Sequence, residues 1–457
     1  MKEKLSVKKN ERYTLDIIDL SYEGMGVAKI DGYSLFIENA LPGERVEVLV
    51  VKVGNKFGYG KVEKWLTESP DRQPLKDNRL LRTGIAPLAH LNYEQQLLFK
   101  QKQVENVMSK IAKMPEVDIL PTIPMENPVG YRNKAQIPVR RMDGRLATGF
   151  YKKNSHELVE IEDYYIQDPA IDEAIKRVRD ILQRFQVRGY NEAKNEGQIR
   201  HIIIRRGHYS HEMMVVLVTR KEKFFKGKEI ASIIHEELPE VVSVIQNINE
   251  EKTNVILGDK EKVLYGRSYI EDQLLGKTYR ISSKSFYQVN TEQTEKLYQT
   301  AIEFAALQKE DTVIDAYSGI GTIGLSLADK VKEVYGMELV PEAIEDAQFN
   351  ALTNKIENAH YEVGKAETVM KKWQDKGVKP SVIVVDPPRK GLDARFIASA
   401  IDMAPAKLVY ISCNPATFAR DAKLFAESGY EVKKVQPVDL FPQTHHVELV
   451  ALLAPKG

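Results

Sequence analysis

A glycine-rich turn in the last third of the chain has the spacing of a nucleotide-binding loop. Residues 312–324 are expected to run strand, turn and helix, with Gly319, Gly321 and Gly324 in GxGxxG spacing. Glycines let the backbone approach a nucleotide closely, and the following helix offers free N–H groups. Glu338, at the end of the next predicted strand, can accept hydrogen bonds from ribose hydroxyls. The pattern favours a nucleoside-containing cofactor over an ordinary tight turn, and leaves NAD and S-adenosylmethionine open.

The single cysteine of the chain is a candidate nucleophile. The predicted strand Lys407–Ser412 leads into Cys413, and Val382–Val385 leads into Asp386 of the sequence VVDPPRKG. Ligands bind at the carboxyl ends of parallel strands, so both residues face the expected site. An unpaired cysteine is more often a small buried apolar residue, but this position favours nucleophilic attack. Since attack needs a thiolate, we predict that local dipoles or cations lower the pKa of Cys413.

The last motif, DLFPQTHHVE, supplies a further carboxylate and two histidines. Glu448 begins the final predicted strand and would be a general base if it faces Cys413; otherwise it is a surface carboxylate. His445 and His446 have no cysteine partners and make a poor metal site, so a solvated or capping role is favoured. Arg389, in the DPPRKG turn, is expected to meet either phosphate or water.

The elements around these motifs predict a multidomain α/β protein. Five short strand-like runs with glycine turns predict a small OB-like β-barrel in residues 1–66. A linker with one long helix (67–120) and an α+β central domain (121–275) follow. Alternating strands and helices in 276–457 predict a doubly wound, Rossmann-like sheet. Residues 449–453 are expected to add an antiparallel edge strand to it.

Composition limits the remaining possibilities. The chain has 457 residues, a formal net charge of +1 and one cysteine. One cysteine excludes an intrachain disulfide, a cysteine-rich zinc site and a protein-held iron–sulfur cluster, and it suggests a reducing compartment. No stretch has the length and apolarity of a signal peptide or a membrane span. We therefore expect a cytoplasmic protein without membrane contact, and infer no metal and no protein partner.

Together, DAYSGIGTIG, VVDPPRKG, YISCNP and DLFPQTHHVE resemble the S-adenosylmethionine-dependent RNA 5-methyluridine methyltransferases. Within that family the chain is most similar to the bacterial 23S ribosomal RNA (uracil-5-)-methyltransferases. The N-terminal unit, with YEGMGVA and LPGE, looks like the TRAM RNA-binding domain often fused to them. The resemblance covers nearly the whole chain. It favours S-adenosylmethionine over NAD as the cofactor, and therefore a methyltransferase over a dehydrogenase.

The resemblance implies covalent catalysis on uracil. Cys413 would add to C6, C5 would take the methyl group of S-adenosylmethionine, and Glu448 would then remove the C5 proton. Because the target edge is inaccessible in a stacked helix, the uridine must be flipped out or lie in a loop. The other roles that the resemblance implies are base or cofactor binding by Asp386, proximity to the base for Phe286, and cofactor contact for Gln288, Tyr317, Glu338, Gly319 and Gly321.

One departure from the family concerns an iron–sulfur cluster. Many relatives hold a cluster with cysteines around a CGGC element, where this chain reads Thr83-Gly-Ile-Ala86 followed by His90. A further cysteine expected near Tyr164 and Tyr165 is also missing. We predict a cluster-free enzyme whose linker is held by apolar packing, with Ile85, Leu88 and Leu91 as candidates. Stoichiometric iron in the denatured protein would refute this.

A local excess of basic residues suggests an RNA surface despite the neutral average. Residues 131–153 hold seven basic side chains against one acid. A solvated face is the commoner explanation, but the aromatic neighbours and the family resemblance favour phosphate contact and stacking. The residues are Arg132, Lys134, Arg140, Arg141, Arg145, Lys152 and Lys153, with Tyr131 and Tyr151 beside them and Arg200, Arg205 and Arg206 around His201.

Two alternatives remain at this point. The same chemistry on transfer RNA fits the motifs equally well, and a non-catalytic RNA-binding factor with a vestigial pocket is disfavoured by the presence of both Cys413 and Glu448. The target uridine, the number of targets and the oligomeric state do not follow from the sequence.

Overall fold

The computed structural model describes residues 7–457, so the first six residues of the predicted N-terminal unit lie outside it. The unit is a six-stranded sheet in the order β1-β5-β6-β4-β3-β2, folded around an apolar core. Alternate residues of β4, such as Leu35 and Ile37, point into that core. The strands are β1 (Arg12–Asp16), β2 (Asp19–Leu20), β3 (Gly26–Ile30), β4 (Tyr33–Glu38), β5 (Arg45–Val53) and β6 (Phe57–Thr67).

An ion pair attaches the linker to this unit, and apolar side chains of the linker are buried. Arg72 Nε donates to Glu44 Oε1 at 2.5 Å, and Glu44 is buried. Ile85, Leu88 and Leu91, the side chains expected to hold the linker, are all buried. The linker contains helices α1 (Arg79–Thr83) and α2 (Tyr93–Val107), a π-helical turn (Met108–Ala112) and the short strand β7 (Asp118–Ile119).

The central region is a seven-stranded sheet, β10-β9-β8-β11-β12-β13-β14, with two helices packed on one face. A separate hairpin, β15–β16, follows, and the predicted boundary between residues 275 and 276 falls in its turn. The elements are β8 (Lys134–Met142), β9 (Arg145–Tyr151), β10 (Leu158–Glu160), α3 (Pro169–Arg184), β11 (Ile199–Arg206), β12 (Met213–Thr219), α4 (Gly227–Glu237), β13 (Val241–Ile248), β14 (Lys260–Gly266), β15 (Tyr269–Leu274) and β16 (Lys277–Ser282).

The C-terminal region is an eight-stranded sheet with helices on both faces, in the order β19-β18-β17-β20-β21-β23-β22-β7. This is the doubly wound architecture that the alternating pattern predicts. The elements are α5 (Thr291–Ala305), β17 (Thr312–Ala316), α6 (Thr322–Ala328), β18 (Glu333–Glu338), α7 (Pro341–Thr353), β19 (Ala359–Val363), α8 (Ala366–Asp375), β20 (Val382–Val385), α9 (Ala394–Asp402), β21 (Lys407–Ser412), α10 (Pro415–Glu427), β22 (Tyr430–Val438) and β23 (Glu448–Pro455).

The last strand corrects one expectation. β23 is antiparallel to β21, as predicted, but it is not an edge strand, because β22 and β7 lie beyond it. The return of the chain through β22 therefore places β23 in the interior of the sheet. This position brings the residue at the start of β23 next to the end of β21.

The central and C-terminal regions share apolar packing. Every residue of β12 is buried, and its side chains alternate between two cores. Met213, Val215 and Leu217 face the core beneath α3 and α4, whereas Met214 and Val216 face a core that continues into the C-terminal sheet. A strand buried on both faces joins the two regions into one packed body. No helix in the described part of the chain has the length and apolarity needed to span a membrane.

Candidate active site

Three neighbouring parallel strands end at one edge of the C-terminal sheet. β17, β20 and β21 are adjacent, and each runs directly into a residue that the sequence singles out. Tyr317 follows β17, Asp386 follows β20, and Cys413 follows β21. Because parallel strands present their carboxyl ends at the same edge, these three residues lie together.

Glu448 joins this group from the antiparallel strand. Ser412 of β21 pairs with Leu449 of β23, so the next positions, Cys413 and Glu448, stand opposite each other. Glu448 is only 3% exposed, whereas Cys413 is half-buried. The alternative of a surface carboxylate is thereby excluded for Glu448, and a buried acid faces the only sulfhydryl of the chain.

The surroundings of the site raise the pKa values of its three acidic groups. Burial, together with the charges of Glu448 and Asp386, raises the pKa of Cys413 to about 12, and the charge of Arg389 opposes this rise. Burial also raises the pKa of Glu448 to about 8, with a contribution from Asp386, and that of Asp386 to about 7. The predicted lowering of the Cys413 pKa is therefore wrong. One cation, Arg389, is outweighed by burial and two carboxylates.

The glycine-rich turn is fixed by the carboxylate at the end of β18. Glu338 Oε1 accepts hydrogen bonds from the amides of Leu339 (2.6 Å) and Val340 (3.1 Å), and Oε2 accepts from the amide of Gly319 (3.3 Å). Tyr317, at the start of the turn, has a positive φ of 65°. The carboxylate thus sits directly above the turn that the nucleotide-binding spacing predicts.

The backbone of the turn is open at Gly319 and closely packed at Gly321. A Cβ built on Gly319 would meet nothing within 4 Å, so space is open above that residue. At Gly321 a Cβ would lie 2.7 Å from Tyr361 Oη, so glycine is needed there for packing. Leu339 and Val340 are 60% and 49% exposed beside Glu338. An open cradle, an acceptor for ribose hydroxyls and an apolar surface for adenine fit S-adenosylmethionine.

Asp315 is a site residue that the sequence reasoning missed. It is buried in β17, and its Oδ2 accepts from the amide of Gly324 at 2.8 Å, while Oδ1 has no partner among the described residues. Burial raises its pKa to about 7. A carboxylate inside the apolar run TVIDA was the available signal, because an acid in a buried strand needs a reason to be there.

The segment between β16 and α5 carries two predicted contacts. Asn290 caps α5 and donates from Nδ2 to Leu440 O at 3.0 Å, which ties the segment to the DLFPQTHH loop. Phe286 is 70% exposed and Gln288 is half-buried. Both side chains remain accessible, and their roles toward base and cofactor stay predictions.

A buried ion pair holds the loop that precedes Glu448. Lys100 Nζ of α2 donates to Asp439 Oδ1 at 2.5 Å, and both side chains are fully buried. The Tyr93 hydroxyl donates to Asp439 Oδ2 at 2.8 Å. Burial lowers the pKa of Lys100, and the attraction of Asp439 opposes that shift. The pair fixes the start of the loop against the linker helix.

Helix α2 also forms hydrogen bonds with the middle of the loop. Gln96 donates from Nε2 to Gln443 Oε1 at 3.0 Å, and its Oε1 accepts from the backbone amide of Gln443 at 3.0 Å. Sequence reasoning missed this network. Its signal was the spacing of Gln96, Lys100 and Val104, which places two polar side chains on the buried face of α2.

The two histidines of the loop are half-buried rather than solvated. The His445 ring packs edge-on to Tyr22 with centroids 6.4 Å apart, and it lies 4.2 Å from the ring of His446. Burial and neighbouring cations lower the pKa of His446 to about 3. Within residues 7–457, no group of three or more His, Cys, Asp or Glu side chains is arranged to hold a metal ion.

Arg132 and Lys134 lie on either side of a residue that contacts the segment between β16 and α5. Asn133, between them, donates from Nδ2 to Gln288 O at 3.0 Å. Burial lowers the pKa of Arg132, and burial with neighbouring arginines lowers that of Lys134 to about 7. Neither forms an ion pair with a carboxylate in the described residues. Two basic side chains without counter-ions, beside the segment that carries Phe286 and Gln288, fit a phosphate ligand better than a solvated face.

Other members of the predicted basic surface are structural. Arg200 donates to Asn249 O at 2.8 Å, and Arg205 donates to Ser283 O at 3.2 Å; both are buried. Arg206 pairs with Asp168 and Glu240. The predicted RNA contact is wrong for these three.

The predicted stacking role of Tyr131 is also wrong. Tyr131 is buried, and its hydroxyl donates to Pro442 O at 2.9 Å. It thus supports the loop before Glu448. Arg389, in contrast, is exposed and close enough to influence both Cys413 and Glu448.

Comparison with known proteins shows the family to which the chain belongs. Residues 92–456 match the family model described as tRNA (Uracil-5-)-methyltransferase, and residues 6–62 match the TRAM domain. RNA methyltransferases of Enterococcus faecalis and Lactiplantibacillus plantarum are 54% and 57% identical, over 98% of both chains and 99% of both chains respectively. The crystal structure of Pyrococcus abyssi tRNA (uracil-54, C5)-methyltransferase with S-adenosyl-L-homocysteine is 28% identical, with a TM-score of 0.79 over 96% of this chain and 99% of that one. The chain belongs to the tRNA (uracil-5-)-methyltransferase family and carries an N-terminal TRAM domain.

Proposed function

We propose that this protein transfers a methyl group from S-adenosylmethionine to C5 of uridine in 23S ribosomal RNA, through a covalent bond between Cys413 and C6 of the base. The observation that carries the proposal is the opposition of Cys413 and Glu448 at the sheet edge, beside Asp386. A nucleophile and a base that face each other at one edge of the sheet are the two groups that this substitution requires.

The cofactor would lie over the glycine-rich turn. Glu338 would accept from its ribose hydroxyls, Leu339 and Val340 would contact the adenine, and Gln288 and Tyr317 would complete the cradle around Gly319. When bound, S-adenosylmethionine supplies the methyl group as an electrophile. Asp386, which is half-buried, and Asp315, which is buried, give this end of the sheet a negative character once ionised, which suits a sulfonium cation.

Cys413 has the task of making C5 nucleophilic. Its sulfur electron pair would form the S–C6 bond while the C5=C6 pair moves toward O4, and the thiol proton would leave to water, to which Cys413 is partly open. The base must be out of a stack for this attack, because the sulfur approaches its face. Phe286 is exposed in the segment between β16 and α5, and Arg389 is exposed in the turn after Asp386. Both side chains are available to hold the base and its phosphate.

Glu448 has the task of completing the substitution. After C5 has gained the methyl group, the Glu448 carboxylate would take the C5 proton. The C5–H electron pair would re-form C5=C6, the S–C6 bond would break, and Cys413 would be released. Glu448 is suited to this because its pKa of about 8 makes it a stronger base than an exposed glutamate.

The choice of ribosomal RNA is the finer part of the proposal. It rests on the resemblance of the four motifs and the TRAM domain to the 23S ribosomal RNA enzymes. Transfer RNA is the second candidate, which the similarity to the Pyrococcus abyssi tRNA enzyme favours. Either substrate leads us to propose a cytoplasmic location.

One experiment separates these substrates. Methyl-labelled S-adenosylmethionine is incubated with unmodified ribosomal RNA and unmodified transfer RNA, and the labelled uridine is mapped. Label in 5-methyluridine of 23S RNA would support the proposal. Label in transfer RNA alone would contradict it and would identify transfer RNA as the substrate. No label in either RNA, from protein that binds both, would favour a non-catalytic RNA-binding factor.

A further inference from the structure

The segment that carries Phe286 and Gln288 is held in place by another part of the chain. Residues 283–290 belong to neither a helix nor a strand, so no ladder of their own satisfies their backbone groups. Four of their carbonyl groups accept hydrogen bonds from two residues at the adjoining ends of β8 and β11. Because carbonyl groups shielded from water need donors, these two residues decide the path of the segment.

Asn133, which directly precedes β8, holds the second half of the segment. Its backbone N–H donates to Val289 O at 2.9 Å, and its side-chain Nδ2 donates to Gln288 O at 3.0 Å and to Thr291 Oγ1 at 3.2 Å. Asn133 is only 9% exposed, so these hydrogen bonds are shielded from water. One residue thereby joins the end of the segment to the start of α5.

Arg205, in β11, holds the first half of the segment. It donates from Nη2 to Ser285 O and, at 3.2 Å, to Ser283 O. Its partner on the neighbouring strand is Lys134, the first residue of β8. Arg205 and Asn133 therefore approach the segment from one corner of the central sheet.

Asn133 also lies between two basic side chains that are open to an anion. Arg132 and Lys134 are half-buried, and neither pairs with a carboxylate in the described part of the chain. The backbone around them is fixed, because Arg132 N donates to Ile166 O at 2.9 Å and Lys134 belongs to β8. A phosphate bound by either cation would therefore lie on the same short stretch of backbone that holds Gln288.

We infer that Asn133 is a positioning residue that couples RNA binding to cofactor binding. The inference rests on the proposed function for both ligands and adds a means of regulating that site. Its two states are the bonded segment of the structure and a segment released from Asn133, in which Gln288 is no longer fixed relative to Arg132 and Lys134. Phosphate and cofactor together favour the bonded state, so each ligand stabilises it for the other, and the coupling is reciprocal. S-adenosylmethionine would then be held most tightly when RNA is in place.

A thermodynamic cycle tests this inference. Equilibrium dialysis of radiolabelled S-adenosyl-L-homocysteine gives its dissociation constant without RNA and with saturating unmodified 23S RNA, and unmodified transfer RNA is run in parallel. All proteins carry Cys413→Ala, so that no covalent bond to the base contributes. We expect RNA to tighten this binding at least about fivefold, and by less than about twofold once Asn133→Ala is added.

Two further variants complete the cycle. Asn249→Ala is the matched control, since Asn249 is also a buried asparagine of the central region and donates to two loop carbonyl groups, those of Val255 and Ile256. It should keep the full coupling. Lys134→Gln removes a phosphate contact and leaves the hydrogen bonds of the segment in place. We expect it to lower the coupling too, which tests the inference without disturbing a buried amide.

Four results would overturn the inference. Coupling that survives Asn133→Ala would assign the effect to direct contact between base and cofactor. An equal loss in Asn249→Ala would indicate general loosening of the central region. Full coupling in Lys134→Gln would also contradict it, as would RNA that binds without tightening the binding of S-adenosyl-L-homocysteine. Coupled binding by a wild type that methylates neither RNA would contradict the proposed function instead and leave this inference standing.

Discussion

Glu448 stands opposite Cys413 across β21 and β23, and its negative charge raises the pKa of the thiol that must become a thiolate. The same pocket therefore disfavours the charged nucleophile and supplies the base. A neutral thiol is protected from stray reaction until ligands change the local charge. Arrival of a sulfonium cation would favour ionised forms of Cys413, Glu448 and Asp386 together.

Alkylation of the single cysteine tests this electrostatic relationship. Glu448→Gln removes a charge that raises the thiol pKa, so iodoacetamide should modify Cys413 faster at pH 8, about tenfold for each pKa unit. Arg389→Gln should slow the reaction, because that cation lowers the pKa. Glu427→Gln, on the exposed face of α10, serves as the control. A wild-type rate that reaches its plateau below pH 9 would contradict the raised pKa.

Protein stability should depend on pH through Glu448. Its folded-state pKa of about 8 exceeds the ordinary value of 4.5, so its protonated form stabilises the fold fully below pH 4.5, and this is lost as pH rises through 8. Glu448→Gln should therefore melt at a higher temperature than the wild type at pH 9 and at nearly the same temperature at pH 5. Thermal unfolding at both pH values measures this, and an equal difference at the two would speak against a buried, titrating Glu448.

The Lys100–Asp439 pair should contribute strongly to stability. Lys100→Met leaves the buried Asp439 without its cation, which costs about 3–5 kcal/mol of the free energy of unfolding. The double variant Lys100→Met/Asp439→Asn buries no charge and should recover part of that loss. Urea unfolding of the three proteins provides the comparison. If the double variant is no more stable than Lys100→Met, the penalty does not come from an unpaired charge.

Lys134 should contact an RNA phosphate. Lys134→Gln is expected to weaken RNA binding for all sequences and to reduce the slope of log affinity against log salt by about one. Lys228→Gln is a matched control, since Lys228 is an exposed lysine of α4 outside the predicted basic surface. Affinities measured from low to moderate salt decide the outcome. An unchanged slope for Lys134→Gln would return this lysine to a structural role.

Periodicity and strand-end position were sufficient to predict much of the fold and site. The strand Lys407–Ser412 and its successor Cys413 follow from an apolar run ending in polar residues, and parallel strands must share one edge. The opposition of Cys413 and Glu448 does not follow, because it needs the insertion of β23 between β21 and β22. That insertion is decided by non-local packing.

Charge was the least predictable property. Arg200 and Arg205 look like surface residues in sequence, yet they satisfy buried carbonyl groups. The Lys100–Asp439 contact joins residues 339 positions apart, which no local pattern reveals. The pKa of the thiol likewise depends on burial and on acids that follow or begin two other strands. The motif around Cys413 therefore could not predict the direction in which that pKa shifts.

The most direct test of the account is the capture of its covalent intermediate. The wild type is incubated with S-adenosylmethionine and RNA that carries 5-fluorouridine at the mapped target. We expect a complex that is stable in SDS, because C5 then carries fluorine in place of the proton that the base must remove. Glu448→Gln should accumulate the same complex with ordinary RNA, and Cys413→Ala should form none. Peptide mass spectrometry should locate the methylated base on Cys413. Robust methyl transfer by Cys413→Ala, or a base attached to any other residue, would contradict the mechanism.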